Sequence, residues 1–201
     1  MRLPILFLAL LSAVFLSGCA ALRRPQPVVS AAATAATAAS LRREAAKAEE
    51  AEAARLFANA SGKPRIKISL GSQRASFFKG GKLVTTSRIS SGKDGFRTPR
   101  GHFSITQKDI DHKSGTYGSH VDGDGTVLDD DVDSRKDRVP PGARYVGASM
   151  PYFMRFNHGI GMHAGRVPEY AASHGCVRLP AAMARLFFEH APTGTPVTVT
   201  D

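Results

Sequence analysis

Cysteine is scarce in this sequence: Cys19 and Cys176 are the only two, enough for one disulfide and for no disulfide framework. No apolar run is long enough to cross a bilayer. The longest, Leu3 to Leu16 with Pro4 and Ser12 as its interruptions, falls short of the roughly 20 residues a spanning helix needs. Acidic side chains are outnumbered, 17 Asp and Glu against 27 Lys and Arg, which leaves a net charge of +10. Such a chain seeks anionic partners. Its basic residues are scattered and no nucleic-acid motif accompanies them, so an acidic polymer fits better than nucleic acid. A length of 201 residues suits one domain with appendages.

The amino terminus is an address. Arg2 precedes the apolar run, the order of an export signal. The run ends in Leu16-Ser17-Gly18-Cys19, which resembles the bacterial lipobox, where cleavage precedes a cysteine whose sulfur is then acylated. Residues 1–18 are therefore expected to be a lipoprotein signal peptide and Cys19 the lipidated residue. Ala20 rather than Asp follows, which by the same resemblance directs the protein to the outer membrane, on its periplasmic side. With Cys19 lipidated, Cys176 has no partner. A lone thiol in an exported protein is a liability unless it does chemistry.

Residues 20–40 are almost all Ala, Pro, Ser, Thr and Val and read as a flexible tether. Leu41 to Ala60 is Ala-rich with mixed charge, so its helix propensity is high. Leu41, Leu56 and Phe57 are its only large apolar residues, too few for a heptad seam, and a solvated helical spacer is expected. The tether and spacer occupy 19–61, and a folded domain occupies 62–201.

From Gly62 onward short alternating runs separated by Gly turns predict strands. They cover Arg65–Leu70, Gln73–Phe78, Leu83–Ser90, Gly101–Thr106 and Val197–Thr200, with one helix after Pro180 bearing Met183, Leu186 and Phe187. The fold class is mainly β, an antiparallel sandwich with one or two short helices. Tyr117 to Arg144 is polar and acidic and reads as an irregular surface excursion. Within it, His120-Val-Asp122-Gly-Asp124-Gly125 has alternate oxygens like a calcium loop, but His stands first and no amphipathic helices flank it.

The densest chemical signal is Ser173-His174-Gly175-Cys176-Val177-Arg178-Leu179. A glycine ahead of a thiol lets the backbone approach a ligand, so that successive N–H groups converge on one oxygen. Arg178 offers a planar fork for a carboxylate. A free thiol is only a few per cent ionised at neutral pH and needs a base. His163, in Gly159-Ile-Gly-Met-His-Ala-Gly165, comes from a separate segment and can face the sulfur, whereas His174 shares the cysteine's own backbone run. An imidazolium beside the sulfur would lower the thiol's pKa. The spacing of His158, His163, His174 and Cys176 matches no common zinc site.

Met162-His-Ala-Gly165 followed by Ser173-His-Gly-Cys-Val-Arg-Leu179 resembles the signature of the L,D-transpeptidase (YkuD-type) family. Ser90-Ser-Gly-Lys93 with Thr98-Pro-Arg-Gly-His-Phe103 and Met150-Pro-Tyr-Phe153 are similar to two further family segments. The resemblance spans residues 64–200. It implies Cys176 as nucleophile and His163 as base, with a backbone carbonyl beside Ala164 orienting the imidazole. Ser173, His174, Gly175 and Arg178 would shape the oxyanion and substrate site, with Tyr152 nearby.

The resemblance further implies a diaminopimelate-containing peptidoglycan stem peptide as acyl donor. A thioester would form at Cys176 and pass to an amine of a second stem or of an envelope protein, with no metal or cofactor. The alternatives are hydrolysis of the same bonds by a carboxypeptidase or amidase, or a non-enzymatic lipoprotein that binds cell wall.

Overall fold

The structure, a computed structural model, describes residues 31–168 and 170–201. The signal peptide, Cys19 and the first part of the tether lie outside the described residues. The chain divides into two compact units, Met1–Ser40 and Leu41–Asp201, and each is described by itself. In the first, the described residues open a helix, α1 (Ala31–Asn59), so residues 31–40, expected as flexible tether, are helical. Alanine on nearly every turn is the physical reason.

In the second unit α1 is more than a spacer. Ala53 and Phe57, four residues apart and thus on one face, are buried in the main core. The Phe57 ring lies edge-on to Phe77 at 4.8 Å and stacks flat on His190 at 4.6 Å. Leu41 and Leu56 stay exposed. One aromatic with one alanine gave no visible periodicity, yet they suffice to dock the helix.

The body is two sheets of five strands. The first orders β3 (Lys82–Arg88), β2 (Arg74–Lys79), β1 (Pro64–Ser69), β10 (Pro196–Thr200) and β4 (Gly101–Ser104). The second orders β6 (Val127–Asp133), β5 (Gln107–Val121), β7 (Arg144–Asn157), β8 (Ile160–Ala164) and β9 (Val177–Leu179). Most pairs are antiparallel, as expected; β1 with β10 and β8 with β9 are parallel. Inward residues of the first sheet (Ile66, Ile68, Phe77, Val197, Val199) share one core with Met154, Met162, Val177 and Leu179 of the second. Helix α2 (Ala181–His190) adds Met183, Leu186 and Phe187 to it, starting after Pro180, whose missing N–H costs a helix nothing there.

The expected irregular excursion is instead a long hairpin. β5 pairs with β6 through Tyr117↔Asp133 and Val121↔Val127, and with β7 through Val121↔Arg144. Its strands lack alternation because both faces of β6 are exposed until Val132 and Asp133. The stretch compared with a calcium loop is the hairpin's turn, where the Asp122 carboxylate accepts from the Asp124 and Thr126 N–H groups.

Candidate active site

The β8–β9 pairing builds the site. In this parallel pair Met162 lies opposite Val177 and His163 opposite Arg178, so Gly161 lies opposite Cys176. Side chains alternate along strands; Cys176, His163 and Arg178 therefore project from one face, opposite the side that buries Met162 and Val177. Gly161 is what lets β8 press against β7, since a Cβ there would lie 2.5 Å from the Met154 carbonyl oxygen and from the Phe153 ring. Gly175 takes φ +114°, a left-handed conformation that glycine adopts without strain, and turns the chain immediately before Cys176.

A buried hydrogen-bond system holds that turn. The Thr98 hydroxyl donates to the Gly175 carbonyl at 2.8 Å and accepts from the Gly92 N–H at 3.0 Å. The Ser173 hydroxyl accepts from the Gly175 N–H at 3.1 Å and donates to the Cys176 carbonyl. The Gly175 N–H is thereby spent within the turn.

The buried His163 imidazole places Nδ1 2.8 Å from the Ala164 carbonyl oxygen. A carbonyl only accepts, so Nδ1 carries the hydrogen and Nε2 keeps its lone pair. Burial pushes the pKa of His163 down to about 4, against the pull of that carbonyl, and Arg178 and His112 add to the depression. Burial also raises the Cys176 thiol above its ordinary range, with the Gly161 N–H, Arg155 and Arg178 pulling weakly the other way. The sulfur is turned toward the Gly159 carbonyl, 3.9 Å away. Burial thus pushes both groups toward their neutral forms.

Cys176, His163, Ser173, His174 and Arg178 line one cavity of about 470 Å³. Ala164 contributes through its carbonyl and Gly175 through the turn. Tyr152 is not among the lining residues. It takes φ +57° and its ring packs on Phe188 at 5.8 Å, on the core side. Other lining residues carried no local signal in the sequence, among them Ser114, Tyr117, Arg135, Ile160 and Arg166. The hairpin covers His174, whose ring stacks on Tyr117 at 4.3 Å, meets Phe96 edge-on at 4.6 Å and stands 3.7 Å from Asp131. Among the described residues no group of His, Cys, Asp and Glu is arranged to hold a metal.

A two-sheet body with a cysteine and a histidine on neighbouring strands of one cavity defines a thiol-bearing β-fold protein. The chain belongs to the YkuD L,D-transpeptidase catalytic domain family, which matches residues 63–199. No curated protein matches it. Among solved structures it is similar to an L,D-transpeptidase from Mycobacterium smegmatis, with TM-score 0.54 and 18% identity over 69% of this chain and 59% of that one. It is also similar to an L,D-transpeptidase from Stackebrandtia nassauensis, with TM-score 0.52 and 20% identity over 75% of this chain and 65% of that one. A third is the LD transpeptidase LdtMt1 in complex with imipenem, with TM-score 0.53 and 19% identity over 68% of this chain and 58% of that one. Likeness at these identities is likeness of fold. The chain spans about three fifths of the length of these relatives.

Proposed function

We propose that the protein is a cysteine-dependent L,D-transpeptidase acting on peptidoglycan stem peptides. The observation that carries this reading is the register of β8 on β9, which sets Cys176, His163 and Arg178 on one face of one cavity.

As a donor carbonyl reaches the sulfur, the thiol proton passes to His163 Nε2 and the sulfur attacks the carbonyl carbon. Backbone N–H groups of Cys176 and His174 receive the oxyanion. Collapse breaks the carbon–nitrogen bond. The imidazolium returns its proton to the leaving amine, and a thioester remains. An acceptor amine, from a second stem or an envelope protein, then loses its proton to His163 as it attacks, and the free thiol is restored. A buried, easily deprotonated imidazole suits this, because it takes the proton only while negative charge develops beside it. The chemistry needs no metal or organic cofactor.

The decisive experiment is mass spectrometry of a diaminopimelate tetrapeptide stem incubated with wild type and Cys176→Ala, with circular dichroism as a folding control. Wild type should release D-alanine, pass through a thioester mass and yield amide-linked product, and the variant should yield none. Turnover by folded Cys176→Ala overturns the reading. A trimmed peptide without cross-linked product replaces transfer by hydrolysis. Imipenem, seen with the relative LdtMt1, offers a second probe: it should add its mass to wild type and not to the variant.

The same reading assigns residues 1–18 to a lipoprotein signal peptide, 19–61 to a lipidated Cys19 with its connecting segment, and 62–201 to the catalytic domain. It assigns the protein to the periplasmic face of the outer membrane. Cys19→Ala should move it from the membrane to the soluble fraction, since only acyl chains would hold it there. Unchanged fractionation sinks that assignment.

A further inference from the structure

Among the described residues the cavity's charged lining is basic. Three arginines line it, Arg135, Arg166 and Arg178, and no carboxylate among the described residues does. Arg135 is already satisfied: its guanidinium grips the Asp133 carboxylate through contacts of 2.9 and 2.7 Å and touches the Tyr117 hydroxyl at 3.2 Å. Arg178 and Arg166 have no such partner among the described residues. Arg178 is half-buried; desolvation depresses its pKa, and Arg166 stands close enough to depress it further by repulsion. Arg178 is held in place, its stem lying over Gly165, where a Cβ would come within 3.2 Å of it.

Arg166 is exposed, so water screens much of its repulsion with half-buried Arg178, and both guanidiniums remain open to an anionic ligand. One carboxylate would neutralise one guanidinium and leave the other. Resting on the proposed function, we infer that Arg166 is a specificity-determining residue, and that Arg166 and Arg178 read two separate carboxylates of the acyl donor. These lie on either side of the scissile amide: the side-chain carboxylate of the diamino acid and the terminal carboxylate of the leaving D-amino acid. A planar fork binds a carboxylate by two parallel N–H donations; a carboxamide, offering one oxygen and an N–H₂, cannot accept both. The donor is therefore dianionic at the reaction centre, and amidation of either group marks a stem as a poor substrate.

A binding cycle tests this without requiring turnover. Folded Cys176→Ala, alone and combined with Arg166→Gln, is titrated calorimetrically with the tetrapeptide and with its two mono-amidated forms. In Cys176→Ala each amidation should weaken binding by roughly tenfold or more, the scale of one charge-assisted hydrogen bond. Adding Arg166→Gln should erase one of the two penalties and leave the other, the signature of a pairwise coupling. Equal binding of all three peptides to Cys176→Ala, or both penalties surviving Arg166→Gln, overturns the inference. Loss of both penalties together overturns the division into two subsites. The catalytic reading falls on other evidence, turnover by Cys176→Ala, so the two failures are distinguishable.

Discussion

The Thr98 hydroxyl and the Gly175 carbonyl, 77 residues apart in sequence, are joined by a buried 2.8 Å hydrogen bond on the residue before Cys176. The same hydroxyl accepts the Gly92 N–H, so one side chain satisfies two backbone groups that water cannot reach. Thr98→Val keeps the shape and leaves both orphaned. We expect a loss of about 1–3 kcal/mol in stability, measured by urea denaturation. A larger proportional loss of kcat than of substrate affinity should accompany it, because the turn that aims the Cys176 N–H is loosened. Unchanged kcat would show that the turn holds without Thr98.

His163 should make stability depend on pH. Its folded pKa is about 4 against an ordinary 6.5, so between those values the unfolded chain binds a proton that the folded protein refuses. Stability is full above pH 6.5 and falls as the pH drops toward 4, with this group responsible for about 3 kcal/mol. His163→Gln cannot titrate. Urea midpoints from pH 7 to pH 4 should fall more steeply for wild type than for the variant, and parallel curves would refute the assignment.

The thiol should behave as a buried one. With its pKa raised by burial, alkylation of Cys176 by iodoacetamide in a Cys19→Ala background should accelerate only above the range of an ordinary thiol, about 8.5. His163→Ala should leave that profile nearly in place while abolishing turnover, since the imidazole acts during attack and not on the resting sulfur. A wild-type thiol ionised at pH 6 would contradict the rise that burial imposes.

Phe57 tests where the folded body begins. Its ring is fully buried among Phe77, Phe187 and His190, and Phe57→Ala should cost about 3–5 kcal/mol. A chain starting at residue 62 should show a similar loss in thermal denaturation. If both unfold like wild type, α1 contributes no packing energy.

The residues that line the cavity were legible because their types cluster locally: Ser173-His-Gly-Cys176 and Met162-His-Ala164 each fall within three or four positions. Strands β1, β2 and β10 were legible because one face of each is buried, which imposes period two. The β5–β6 hairpin was not, for the opposite reason: β6 is exposed on both faces over most of its length, so pairing with β5, rather than burial, makes it a strand. Tyr152 is a different case. Its neighbours Met150 and Phe153 sit in a recognisable segment, but a left-handed turn at Tyr152 itself rotates the ring to the core side, and no pattern of residue types encodes that rotation. Arg166 carries no local signal in the sequence, and its place near Arg178 appears only in the fold.

The short strand β9 is clamped on its far side as well. Arg178 and Ser90 exchange both backbone hydrogen bonds at 3.0 Å, so the three residues after Cys176 tie the second sheet to the segment leaving the first. The Ser90 and Arg178 amides should therefore be among the slowest in the domain to exchange with deuterium, and their exchange would report how firmly the two sheets are joined.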